Sequence, residues 1–145
     1  MDKRSVLVIN CPNLNILGAR EPDQYGDMTL DDICLKIKSY AVQKDIRVEF
    51  FQSNMEGELI GRIQEAPASF AGIILNAGAY SHTSIALRDA VSSIPIPVVE
   101  VHISNVYKRE GFRHHSYLAP VCAGSIVGFG YVSYILALDY FVLSC

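Results

Sequence analysis

Apolar residues along this chain gather in short unbroken runs, and the stretches between them repeat with helical spacing. Residues 6–9, 48–51, 72–75, 98–101 and 125–129 are the runs, most of them rich in β-branched side chains with no polar alternation. That pattern predicts strands of a parallel sheet covered on both faces. Helices are predicted between most of them. The clearest spans residues 29–44, where Thr29 serves as N-cap, Asp32 follows three positions on, and Leu30, Ile33, Ile37, Tyr40 and Ala41 form an apolar stripe. Residues 58–66 and 84–91 fit shorter helices, and residues 131–142 read as a buried helix that carries Asp139. Strand and helix alternating in this way predict an α/β sandwich with right-handed crossovers around a five-stranded doubly wound sheet.

In such a sheet ligands sit beyond the carboxyl ends of the strands. The predicted strands run out at Asn10, at Gln52-Ser53-Asn54, at Asn76 and at His102. Each alone is a good turn former. Together they describe the floor of a polar pocket.

Composition adds bounds. The chain has 145 residues, half of them hydrophobic, which suits a single domain over residues 1–145 with a real core. A net charge of −3, with basic residues scattered, leaves no footprint for nucleic acid. The four cysteines, Cys11, Cys34, Cys122 and Cys145, lack paired or C-x-x-C spacing and read as free thiols of a reducing cytosol. Neither the apolar run near the start nor the one near the end has the length of a signal peptide or a membrane span, so a cytoplasmic protein is expected.

Local chemistry concentrates in a few places. Within 98–102, Glu100 and His102 project to the same face of a strand. A carboxylate between valines needs a partner, and the imidazole supplies one, either as a structural pair or as an oriented general acid. Residues 11–28 form a connection long enough to be functional, and it carries Asn13, Arg20 and Tyr25. A tyrosine beside an arginine is either packing or a phenol whose anion the cation favours. The turn from Asn76 to Ser84 holds His82 and a helix cap, and the loop from Tyr107 to Ser116 holds Arg109, Arg113 and two adjacent histidines without zinc spacing. No metal or cofactor signature emerges.

Read in order, Asn10-Cys-Pro-Asn-Leu-Asn15, Leu17-Gly-Ala-Arg-Glu-Pro22 with Tyr25-Gly26, Gln52-Ser-Asn-Met-Glu-Gly57, Asn76-Ala-Gly-Ala-Tyr-Ser-His-Thr-Ser84, Ile96-Pro-Val-Val-Glu-Val-His-Ile-Ser-Asn105 and Arg109-Glu-Gly-Phe-Arg-His-His-Ser116 resemble the type II 3-dehydroquinate dehydratases. The resemblance implies a flavodoxin-like fold. It also implies the lyase that converts 3-dehydroquinate to 3-dehydroshikimate by anti elimination of water, in the shikimate pathway that leads to chorismate and the aromatic amino acids. It further implies Tyr25 as the base, with Arg20 and Arg109 favouring its phenolate, and Asn13 holding a water against the enolate oxygen. His102 is implied as the acid, oriented by Glu100. Asn76 with the Ile103 and Ser104 amides would take the substrate carboxylate. His82, Arg113 and Asp89 would take the ring hydroxyls, with Asp89 reaching in from a neighbouring subunit of a homododecamer built from trimers. No cofactor is implied.

Cys11 departs from the family pattern, which usually has Gly between Asn10 and Pro12. A residue before proline favours extended backbone, so tolerance is expected. The competing readings are a flavodoxin-like small-ligand module without catalysis, a hydrolase built on Ser81 or Ser84 with His82, and a Schiff-base enzyme. The first turn lacks a phosphate cradle, no G-x-S-x-G elbow is present, and the lysines fall on helix surfaces, the terminus or the Lys108 loop.

Overall fold

The computed structural model describes residues 4–19 and 21–144. In chain order the main elements are β1 (Ser5–Asn10), a single helical turn α1 (Pro22–Tyr25), α2 (Leu30–Gln43), β2 (Arg47–Gln52) and α3 (Glu56–Glu65). They continue with β3 (Gly72–Asn76), α4 (Ile85–Ser93), β4 (Val98–His102), β5 (Gly124–Val127) and α5 (Val132–Ser144). The five strands form one parallel sheet in the order β2-β1-β3-β4-β5. This is the flavodoxin-like order, which reverses between β1 and β3.

Alternation along β1 explains the layering. Val6 and Val8 pack with Ile33, Ile37 and Ala41 of α2 and Tyr134, Ala137, Leu138 and Phe141 of α5. Leu7 and Ile9 face the other way, onto Leu59 and Ile63 of α3 and Leu87, Ala90 and Val91 of α4. Each fully buried Val, Leu or Ile contributes roughly 1.5–3 kcal/mol, so two such clusters supply most of the driving force. Gly72 is required where the sheet meets α5: a Cβ there would lie 2.1 Å from the Phe141 ring.

The predicted start of α2 is realised in full. Asp32 N–H donates to Thr29 Oγ1 at 3.1 Å and Thr29 N–H to Asp32 Oδ2 at 3.0 Å, a reciprocal capping box. Two expectations need correction. Burial on both faces holds for β1, β3 and β4 but not at the sheet edges. On edge strand β2 the exposed Arg47 and Glu49 pair at 2.7 Å, charges that discourage another strand from adding there. The closing helix is buried on one side only; Leu136, Tyr140 and Leu143 face outward, and Asp139 accepts from Tyr40 Oη at 2.7 Å. Apolar composition hid this division, because both faces of the helix are hydrophobic. No helix among the described residues is long and apolar enough to cross a membrane.

Candidate active site

A cavity of about 170 Å³ opens over the carboxyl ends of β1, β3 and β4. Its wall includes Asn13, Tyr25, Asn76, His82, His102, Ile103, Ser104, Arg109 and Arg113. Strand ends and loops as far apart in sequence as Asn13 and Arg113 are thereby brought together, as the doubly wound topology dictates.

Tyr25 ends α1, whose helical turn begins at Pro22 and is flanked by two left-handed residues, Glu21 (φ 38°) and Gly26 (φ 77°). Glycine takes that conformation freely, whereas Glu21 holds it at some strain. Arg109 Nη1 donates to the Tyr25 hydroxyl oxygen at 2.6 Å, and the guanidinium carbon lies 5.2 Å from the ring centre. The Arg109 side chain is almost wholly buried. Its Nη2 reaches Glu21 at 3.3 Å and its Nη1 reaches Ser104 Oγ at 3.4 Å, while its Nε has no partner among the described residues. A cation held this way faces any negative charge that develops on the phenol oxygen. Arg20 lies outside the described residues.

Across the cavity, His102 ends β4 with its ring nitrogen Nε2 2.9 Å from Glu100 Oε2. The two residues are two apart on one strand face, as their spacing predicts. Glu100 also accepts from Ser116 Oγ at 2.6 Å and from Ser125 Oγ at 2.7 Å. Burial works to raise the pKa of this carboxyl. The hydrogen bond and charge of His102, together with the two serines, outweigh it and hold the group below its ordinary 4.5. An ionised carboxylate only accepts, so Nε2 carries the hydrogen and Nδ1 is the nitrogen left for proton exchange.

His82 stacks near His102, with ring centres 6.2 Å apart and an 18° tilt. Its Nδ1 donates to the His115 carbonyl at 2.8 Å. Burial pushes its pKa below the ordinary 6.5; the His115 carbonyl opposes this, and the charges of His102 and Arg113 reinforce it. A neutral ring with hydrogen on Nδ1 offers Nε2 as an acceptor for a hydroxyl. Arg113 lines the same wall and pairs with Glu110 at 2.5 Å.

Asn76, at the end of β3, accepts from Gly78 N–H at 3.1 Å and donates to the buried Tyr134 hydroxyl at 2.8 Å. The N–H groups of Ile103 and Ser104 have no hydrogen-bond partner among the described residues and border the cavity. Asn13 sits in the left-handed conformation (φ 73°), its N–H held by Asn54 Oδ1 at 3.1 Å, with Gln52 Nε2 donating to the same oxygen at 3.2 Å. Gln52 and Asn54 therefore brace the loop and do not form pocket floor. Ser53 does neither: its Oγ accepts from the N–H of Met55, the residue just before α3, and donates to Glu58.

Two further sequence expectations resolve here. Cys11 is not in the left-handed region, which falls two residues later at Asn13, and its side chain packs among Leu7, Ile9 and Leu59. It adds a core contact and no thiol to the cavity. Asp89 is exposed on α4 and does not line the cavity of its own chain. Among the residues that orient the site, Tyr134 and Ser125 carried no signal in sequence, because a lone hydroxyl on an apolar helix or strand has many uses.

The family profile described as Dehydroquinase class II matches residues 4–142. The chain is 56% identical over 133 residues to the 3-dehydroquinate dehydratase of Campylobacter lari, covering 92% of this chain and 83% of that one. It is 51% identical to 3-dehydroquinate dehydratase 2 of Pseudomonas aeruginosa, over 95% and 93% of the two chains. Its fold superposes on the crystal structure of a type II dehydroquinase from Butyrivibrio crossotus with a TM-score of 0.93 at 50% identity, covering 94% of this chain and 96% of that one.

Proposed function

This chain belongs to the class II dehydroquinase family, and from that premise we propose how its cavity removes water from 3-dehydroquinate. The activity is that of a hydro-lyase yielding 3-dehydroshikimate, a step of the shikimate pathway. The observation that carries the mechanism is the facing of two groups across one cavity: a tyrosine gripped by a buried arginine, and a histidine backed by a buried carboxylate.

Tyr25, as phenolate, takes the proton from carbon 2 beside the ketone. The C–H electrons move into the carbonyl, and the enolate oxygen is met by a water held at Asn13. Arg109 steadies the phenolate, and Arg20 serves the same end by family likeness. Collapse of the enolate forms the ring double bond and breaks the bond to the hydroxyl on the neighbouring carbon, to which His102 gives a proton. One water leaves. The carboxylate of Glu100 accepts a hydrogen bond from His102 Nε2–H and balances the charge of the protonated ring. Asn76 and the amides of Ile103 and Ser104 hold the substrate carboxylate, while His82 and Arg113 hold ring hydroxyls.

Residues 1–145 act as a single catalytic domain, in the cytoplasm, with no nucleic-acid partner. Asp89 joins the site from a neighbouring subunit of a homododecamer arranged as trimers. Its exposed position on α4, outside the lining of its own cavity, supports this. No metal or organic cofactor takes part. A flavodoxin-like module that binds a small ligand without catalysis is not favoured, because it gives no use to the Tyr25–Arg109 contact.

Purified protein, treated with chelator and dialysed, tests the reading. It should turn 3-dehydroquinate into a product with the ultraviolet absorbance of a conjugated enone. Activity that vanished and returned only with added metal would overturn the mechanism.

A further inference from the structure

Asn76 meets the cavity with one end of its amide, and we propose that Tyr134, which does not line the cavity, is the positioning residue that decides which end. The two ends of an amide are nearly alike in shape but opposite in hydrogen bonding. A carboxylate in the cavity is attracted by the NH₂ end and repelled by the oxygen, so the orientation matters more than the contact.

Asn10 and Asn76 are register partners on adjacent strands, at the same level of the sheet. Tyr134 comes from α5, is fully buried, and lies between them. Its hydroxyl donates to Asn10 Oδ1 at 2.6 Å and accepts from Asn76 Nδ2 at 2.8 Å. With its proton committed to Asn10, the hydroxyl offers Asn76 only lone pairs, and Nδ2 must face it. Burial pushes the phenol's pKa up, so the proton stays in place as pH varies. Gly78 N–H, donating to Asn76 Oδ1, agrees with the same orientation from the other side. Of the two hydrogens on Nδ2, one goes to Tyr134 and the second remains for the cavity. The sequence Asn10, Tyr134, Asn76 thus runs in a single direction of donation and delivers an N–H where the substrate anion is to sit.

The inference rests on the reading that Asn76 binds the substrate carboxylate, and the experiment separates the two. Steady-state kinetics with 3-dehydroquinate are measured for Tyr134→Phe, Asn76→Ala and the double variant, with folding checked by circular dichroism. Tyr134→Phe should raise KM roughly tenfold, the loss of about one hydrogen bond to an anion, and leave kcat close to the parent value, because the reacting groups are untouched. In the Asn76→Ala background the same substitution should no longer change KM. An unchanged KM in Tyr134→Phe beside a raised KM in Asn76→Ala overturns the positioning role and leaves the carboxylate reading standing. A KM effect that adds in full in the double variant also overturns it, since Tyr134 would then act independently of Asn76. An unchanged KM in Asn76→Ala overturns the carboxylate reading and the positioning role together. Should Tyr134→Phe fail to fold, Asn10→Ala keeps the ring and removes only the acceptor. The same rise in KM is expected of it, and an unchanged KM overturns the proposal.

Discussion

Replacing Glu100 with Gln keeps the shape of a buried side chain and removes its charge. The carboxylate accepts from His102, Ser116 and Ser125 at 2.9, 2.6 and 2.7 Å. Hydrogen bonds to a charged group contribute about 1.5–3 kcal/mol and neutral ones about 0.5–1.5, so the three contacts together lose roughly 3 kcal/mol. Relief from burying a charge offsets part of this. A net loss of about 1–2 kcal/mol near neutral pH remains, or a fall in Tm of about 2–8 °C. The Glu100 pKa is held below 4.5 in the folded chain. A carboxyl depressed in this way stabilises the fold fully above its unfolded value and loses that contribution as pH falls through its folded value. The gap in Tm between parent and variant should therefore be complete above pH 4.5 and close in stronger acid. The effect on catalysis should exceed the effect on stability, because His102 loses the partner that accepts its Nε2–H hydrogen bond. General acid catalysis is worth about 10²–10⁴-fold, and kcat, followed by enone absorbance, should fall by about a hundredfold. A variant with lowered Tm but parental kcat would make Glu100 a structural anchor and refute the reasoning.

Asp89→Lys should weaken substrate binding while leaving the fold intact, and sedimentation of the parent should reveal a large oligomer; a fully active monomer would contradict the shared site. Cys11→Gly removes a wholly buried side chain and loosens the unfolded chain, so unfolding should become easier by about 1–3 kcal/mol with kcat/KM unaltered. Burial also pushes the Cys11 thiol pKa far up. Iodoacetamide should leave it unmodified in the folded protein, and peptide mapping that found it labelled as fast as an exposed thiol would refute its placement in the core.

Much of the fold was legible because β1, β3 and β4 are buried on both faces and therefore read as continuous apolar runs. The Thr29–Asp32 box was legible for a different reason: capping is local, and its partners are three residues apart. The outward face of α5 was hidden, since Leu136, Tyr140 and Leu143 look no different in sequence from the core residues beside them. In the site, the Glu100–His102 contact followed from strand alternation alone. The approach of Arg109 to Tyr25 spans 84 positions, and no local pattern encodes it. Only the ordered family motifs brought the two together. Tyr134 and Ser125 escaped both routes, as single hydroxyls whose partners are set by packing.

Deuterium exchange at carbon 2 of the substrate separates the two proton transfers on which the account depends. Tyr25→Phe retains the ring but has no phenolate, so both dehydration and exchange from deuterated buffer should be lost. His102→Gln removes only the acid of the later step, so dehydration should fall by about 10²–10⁴-fold while exchange persists through Tyr25 and the Asn13 water site. Mass spectrometry of recovered 3-dehydroquinate reads both outcomes directly. Exchange retained in Tyr25→Phe and lost in His102→Gln would mean that the base is not Tyr25.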